Sequence, residues 1–319
     1  MANDLFAILV RLTAVGSTGI LLVGVLRKPA RRAVGAEAAY WLWLLVPASL
    51  IAVFLPEAPP CLCGPESYIS PLLIRAIGAP LELAPQVEIC HHVWALTVVW
   101  GVGASGALAY FACCQQLLKR SLGVLHRRPD GSYSSHSAKQ PMLVGAWQPR
   151  IVLPGDFETR YSENERAVIL AHELAHIGRC DALTNGIALG LVCLFWFNPI
   201  AHWAWSRFRF DQEVACDAAV LRAASVSRRL YARALAKTEL TTWMAIAFGW
   251  RRRHPLVERV AMLRHRTPSR IQRFVGYALA LTLMLSATYV VWAAQPEKAP
   301  PIASFRTSAQ GTPQATGGL

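Results

Sequence analysis

The segment His172-Glu173-Leu174-Ala175-His176 has residue types and a spacing that could do chemistry. On a helix, positions i and i+4 share a face with Cβ atoms about 5–6 Å apart. Both imidazoles can therefore grip one zinc ion from the same side. When one coordination position is left to water, zinc lowers the pKa of that water to about 7. Glu173, beside the metal, is then placed to take its proton. Two histidines and a water leave zinc one protein ligand short. In one class of zinc peptidase a Gly and a third His follow the motif, but Arg179 and Ala182 occupy those places here, which excludes that class. The next candidate ligand is Glu213 in Asp211-Gln212-Glu213, on a helix expected to begin after Pro199. Asp217, one turn on, is expected to hydrogen-bond a ligating histidine and fix its tautomer, and Asp181 is a second candidate for such a role. Cys180 and Cys216 are zinc-binding by type. A thiolate would leave the metal less Lewis-acidic, so both are expected to be small packing residues. His136, His202 and His254 lack a partner at ligand spacing and are expected to be structural.

The elements that must position these groups are also readable. Ser162-Glu163-Asn164-Glu165 is a capping-box pattern, which predicts a helix from Arg166 to about Gly178 with Ser162 as its cap. Val168, Leu170, Ala171, Leu174, Ala175 and Ile177 flank the motif, so that helix should be mostly buried. Before it, Leu143, Val144, Trp147, Ile151, Val152 and Leu153 are punctuated by Gly145, Pro149, Pro154 and Gly155, which suggests a small sheet or hairpin. An edge strand there would suit a substrate backbone added as a further strand.

The chain around this region reads as a membrane protein. Of 319 residues, 54% are hydrophobic and only 16% charged. The net charge of +13 would suggest nucleic acid in a soluble protein. Here the basic residues gather beside apolar stretches, so no direct nucleic-acid partner is expected. Eight cysteines are too few and too scattered for a disulfide scaffold. The first apolar run begins close to Met1 with no basic region before it and contains Arg11, so a cleavable signal peptide is not expected.

Apolar segments at about Leu5–Leu26, Ala38–Leu55, Val93–Cys114 and Val275–Ala294 each approximate a bilayer width of about 20 residues. Tyr40, Trp41, Trp43, Tyr277 and Trp292 stand near their ends, as interfacial anchors do. Arg27, Lys28, Arg31 and Arg32 mark the first loop as cytoplasmic, which puts the N-terminus outside. The loop from Pro56 to His92 is acidic and suits the outer face. Cys61, Cys63 and Cys90 fall in it, either with one disulfide from Cys90 or as free thiols. Ala182 to Trp205 carries no formal charge, yet a single crossing would separate the histidines from everything beyond it. Asn198-Pro199 breaks it before a second, so it is read as a buried helix or a re-entrant hairpin.

The expected fold is mainly α: a polytopic membrane protein of about four transmembrane helices, with an α+β zincin-like metallopeptidase domain between the third and fourth. Residues 1–115 form the membrane region with three helices, and 116–274 the cytoplasmic peptidase domain. Residues 275–294 form the fourth helix and 295–319 a disordered tail.

In Pro149–Pro154, Ala171–His176 with Arg179 and Asp181, Phe195–Pro199, Asp211-Gln212-Glu213 and Ala215–Val220, the chain resembles the membrane-embedded zinc peptidases that act as sensor-transducers for β-lactam antibiotics. The resemblance extends from the first membrane segment to the fourth. It implies a cytoplasmic-facing peptidase in the inner membrane, with His172, His176 and Glu213 as the ligands of a Zn2+ ion and Glu173 as the base. It also implies a protein substrate such as a cytosolic transcriptional repressor. The sensors carry a penicillin-binding domain after the fourth segment, whereas the tail here holds no S-x-x-K acylation motif. Rival readings are a membrane quality-control metalloprotease, which also combines H-E-x-x-H with a later glutamate, and a non-catalytic transducer whose zinc is structural. The residues select neither substrate nor oligomeric state.

Overall fold

A computed structural model describes residues 2–56, 93–223, 226–243, 255–264 and 267–295. The cysteines of the acidic loop, Arg251 to His254 and the tail beyond 295 lie outside the described residues. Helix α1 spans Ala2–Ala33. A second apolar unit follows it, made of α2 (Ala36–Tyr40), a 3-10 turn (Trp41–Leu44) and α3 (Leu45–Ala52). Helix α4 is Val93–Ser121. After it come β1 (His126–Arg127), β2 (Tyr133–Ser135), β3 (Met142–Val144), β4 (Arg150–Pro154) and the single turn α5 (Phe157–Arg160). The remaining helices are α6 (Glu163–Gly178), α7 (Asp181–Leu194), α8 (Pro199–Ala223), α9 (Arg228–Trp243), α10 (Pro255–Met262) and α11 (Arg270–Ala293).

Among the described residues, three helices are long and apolar enough to cross a membrane: α1, α4 and α11. The expected second segment, 38–55, departs from the reading. It is the 36–52 unit, about 25 Å long at 1.5 Å per residue and short of the roughly 30 Å hydrocarbon core. Gly35, at φ +96, starts it, and the 3-10 turn tightens its middle. That turn carries Trp43, whose Nε1–H donates to Asp211 Oδ2 at 2.9 Å.

The uncharged stretch after the motif is two helices, α7 and the start of α8, packed on each other across the turn Phe195–Asn198. The carbonyls that α7 leaves unpaired need donors. Trp100 Nε1–H supplies one, to Leu194 O at 2.8 Å. Asn198 closes the turn: its Oδ1 accepts from the Ile200 N–H and its Nδ2 donates to Ser17 Oγ, both at 2.9 Å.

Ahead of the motif helix stands a four-stranded sheet of order β1-β2-β4-β3, which leaves β3 at an edge. The β3–β4 pair is antiparallel with Leu143 opposite Ile151, and β2 runs parallel to β4.

Helix α8 belongs to two cores. Its first turns place Ala201 and Ala204 among Leu12, Val23, Trp43, Leu45 and Phe195 of the apolar bundle. Its last turns place Cys216 and Val220 among Ile151, Leu153, Phe157, Val168 and Tyr231 of the sheet-side core. At 25 residues the helix is roughly 38 Å long, enough to join them. Between the two cores, Asp211 is 3% exposed and accepts from Arg27 Nη1 at 2.7 Å and from Trp43, with Arg31 Nη1 at 3.2 Å. Removing one partner of a buried ion pair costs about 3–5 kcal/mol, because the other charge is left uncompensated. Asp211→Asn is therefore expected to lower the thermal unfolding midpoint of the detergent-solubilised protein by several degrees. An unchanged midpoint would show that α1 and α8 are held together by apolar contacts alone.

Candidate metal centre

The motif lies on α6, which starts at Glu163, three residues before the expected Arg166. The cap is as read from the sequence. Ser162 Oγ accepts from the Glu165 N–H at 3.4 Å and Glu165 Oε2 from the Ser162 N–H at 3.0 Å. Lys237 Nζ, 3.0 Å from Glu165 Oε2, ties this end of α6 to α9.

The i, i+4 spacing brings His172 Nε2 and His176 Nε2 to 3.1 Å from one another. Glu213, from α8, brings Oε2 to 3.5 Å from His172 Nε2 and Oε1 to 3.8 Å from His176 Nε2. Ligands at 2.0–2.2 Å from a tetrahedral zinc stand about 3.3–3.5 Å apart, so these atoms enclose a point of the right size.

The hydrogen bonds on the far side of each ring decide what that point can hold. His176 Nδ1 lies 2.6 Å from Asp181 Oδ2, and a carboxylate at that distance takes the Nδ1 proton. His172 Nδ1 lies 2.9 Å from the Tyr231 hydroxyl, which itself donates to Asp217 Oδ1 at 2.7 Å and so accepts from the ring. Both Nε2 atoms are left with bare lone pairs, facing each other beside a carboxylate. Two such acceptors at 3.1 Å would be bridged by a cation between them. The donor set therefore fits a metal ion.

The titration of the groups shows how strongly this acidic surrounding attracts positive charge: without a metal it favours a proton on each imidazole, which an incoming cation would displace. Burial lowers the pKa of His176, but Asp181, Cys216 and Glu213 outweigh it and hold the imidazole at about 10. Burial of His172 is likewise overcome, chiefly by Cys216 and Glu213, and its pKa stands well above the usual value. Burial raises the Glu213 carboxyl, yet His172, Arg259 and His176 hold it far below the usual carboxylate range.

Asp181 reaches His176 because the chain bends by 58° around Cys180, whose φ of +55 is the only positive value at a non-glycine among the described residues. A left-handed residue costs of order 1 kcal/mol, and here it swings Asp181 back under the ring. Asp217 differs from its expected role. Its Oδ1 is 3.5 Å from His172 Nδ1, and Tyr231 bridges the two. Arg259 completes the set, with Nε at 2.9 Å from Asp217 Oδ2 and Nη2 at 2.8 Å from Asp217 Oδ1 and 3.3 Å from Glu213 Oε2. Tyr231 and Arg259 escaped the sequence reading, because they stand 59 and 87 residues beyond His172 on other helices, with no spacing that marks them.

Cys216 is buried against His172. Its Sγ is 3.5 Å from the His172 carbonyl oxygen and 3.6 Å from Nδ1. By residue type, His172, His176 and Cys216 also form a group within ligand distance of a common ion, their ligand atoms within 4.8 Å of one another. The thiol sits at the Nδ1 edge of His172, where Tyr231 is bonded, and also acts on His176, whose pKa it raises. Of the other histidines, His202 Nε2 meets the Trp196 carbonyl at 2.7 Å, as expected of a structural residue.

Glu173 lines the same cleft, about 550 Å³ in volume, together with His172, His176, Glu213, Met142 and Leu143. Burial raises its carboxyl pKa, while His172 and His176 pull it down.

Comparison with known proteins gives the family of the chain. The family model described as BlaR1 peptidase M56 matches residues 7–263. The chain is 31% identical over 115 residues to the regulatory protein BlaR1 of Bacillus licheniformis, covering 36% of this chain and 18% of that protein. It is 33% identical over 91 residues to the methicillin resistance mecR1 protein of Staphylococcus aureus, covering 28% of this chain and 15% of that protein. The mecR1 protein of Staphylococcus epidermidis aligns to the same extent. The chain thus spans less than a fifth of the length of these relatives. Since the family model covers far more than half of the chain, from α1 through the facing histidines to α10, the protein belongs to the BlaR1 peptidase M56 family.

Proposed function

We propose that this chain is a membrane-bound zinc-dependent endopeptidase that cleaves a cytosolic regulatory protein in signal transduction. The observation that carries this reading is the convergence of His172 Nε2, His176 Nε2 and the Glu213 carboxylate in a cleft that also holds Glu173. The first three residues would hold the ion. Bound there, zinc supplies a water of lowered pKa and a Lewis acid for the scissile carbonyl. Glu173, in the same cleft, would take a proton from the attacking water and pass it to the leaving amine. Asp181 orients His176 and, in the neutral ring, keeps the proton on Nδ1 so that Nε2 faces the ion. Among the described residues strand β3 stands at the sheet edge, and Met142 and Leu143 line the cleft, which suits an extended peptide bound by strand addition.

In this reading α1, α4 and α11 embed in lipid with the N-terminus outside, and residues 116–274 work at the cytoplasmic face of the inner membrane. The 36–52 unit completes the membrane region of residues 1–115 with the help of its neighbours, 275–294 form the last crossing and 295–319 a tail. Family resemblance makes a transcriptional repressor the candidate substrate. A second reading, a non-catalytic transducer with a structural metal, draws on Cys216, since thiolate and imidazole ligands without an open position are typical of structural zinc.

Purified protein separates the two. Glu173→Gln should keep stoichiometric zinc and lose about 10²–10⁴-fold in turnover of a cytosolic protein substrate. Full proteolysis by that variant would sink the proposed role of Glu173. Glu213→Ala should lose its zinc during dialysis, whereas Cys216→Ser should retain it; the reverse pattern would favour the structural site. Removal of the metal with a chelator should stop cleavage, and zinc should restore it.

A further inference from the structure

The two facing histidines are supported in different ways, and the difference carries an inference that rests on the zinc-site reading above. His176 Nδ1 meets the carboxylate of Asp181 directly, at 2.6 Å. His172 Nδ1 meets a phenol, Tyr231, at 2.9 Å, and that phenol donates to Asp217 Oδ1 at 2.7 Å. A tyrosine has one hydroxyl proton. With that proton given to Asp217, the oxygen has only a lone pair to offer, and it binds His172 solely when the imidazole carries its proton on Nδ1. The opposite nitrogen, Nε2, is then the bare one that faces His176 and Glu213.

The far end of this relay is fixed as well. Both Asp217 oxygens accept from Arg259, and Asp217, Tyr231 and Arg259 are each less than 5% exposed. A donor-only guanidinium on both oxygens keeps Asp217 an acceptor for the phenol. The relay also bears on which third ligand the site uses. Cys216 Sγ lies 3.6 Å from His172 Nδ1, the nitrogen whose proton points to Tyr231. A metal held between Cys216 and that nitrogen requires the bond to Tyr231 to break.

We infer that Tyr231 is a positioning residue whose hydroxyl holds His172 in the Nδ1–H tautomer and thereby commits the metal to both Nε2 atoms and Glu213 rather than to a set that pairs Cys216 with His172 Nδ1. A merely structural role needs only the ring, which packs in the core with Phe157, Val168 and Ala234 and which phenylalanine would replace.

The test uses the full-length protein in detergent, stripped of metal and titrated with Co2+ against a chromophoric chelator, comparing wild type with Tyr231→Phe and Cys216→Ser. Loss of a bond that orients a metal-ligating histidine weakens metal binding by about 10–100-fold. Tyr231→Phe should show that loss, with the melting temperature of the metal-free protein unchanged. Wild type should show no thiolate-to-cobalt charge-transfer band, and Cys216→Ser should bind as wild type does. Wild-type affinity in Tyr231→Phe overturns the inference, and so does a loss matched by a lower melting temperature of the metal-free variant. A thiolate band in wild type also overturns it. Failure of the wild type to bind Co2+ at all would instead remove the metal-site reading on which the inference stands.

Discussion

Two imidazole nitrogens held 3.1 Å apart, each with its ring proton drawn away to the opposite side, repel one another unless a cation lies between them. The rest of the site follows from that constraint. The two rings can be forced together because they sit at i and i+4 of one capped helix, α6. A third acceptor, Glu213, has to come from elsewhere, and α8 brings it. The protons have to be anchored behind the rings, and Asp181 and Tyr231 do so from α7 and α9. Four helices thus converge on one point, and the attraction of each for a cation offsets the burial of four ionisable side chains, which would otherwise be costly.

Helix α8 links that point to the apolar bundle. Asp211 lies half a turn before Glu213 and is gripped by Arg27, Arg31 and Trp43, two of them near the end of α1 and one on the 3-10 turn after it. Arg31 also approaches Glu258, the neighbour of Arg259, at 3.5 Å. The carboxylate that faces the two histidines is therefore placed by groups of the first apolar helix. Buried ion pairs have few alternative partners, so a displacement of α1 moves the anchor of α8 with it.

What was legible in the residues was local geometry. The i, i+4 spacing and the capping box Ser162/Glu165 are properties of a single helix, and both helix and cap form as that pattern requires. The hairpin of β3 and β4 was signalled by apolar runs between glycine and proline. Strands β1 and β2 were not, since two or three mostly polar residues such as His126-Arg127 carry no alternation. The segment read as 38–55 is a shorter apolar unit, 36–52, with a tertiary bond at its middle. Trp43 turns aside to satisfy Asp211, 168 residues away, and hydropathy does not register that bond. The link between Asp217 and His172 is likewise tertiary. Asp217 has the right charge at the right helical spacing from Glu213, but a phenol from α9 fills the remaining gap, and no local pattern announces Tyr231.

The central claim is the ligand set, and X-ray absorption at the zinc edge reads it most directly. In wild-type protein reconstituted with one equivalent of zinc, the account predicts a first shell of nitrogen and oxygen alone at about 2.0–2.2 Å, with the outer-shell scattering of two imidazoles. A sulfur scatterer at about 2.3 Å would contradict it, because it would put Cys216 on the metal and turn His172 away from the arrangement described above.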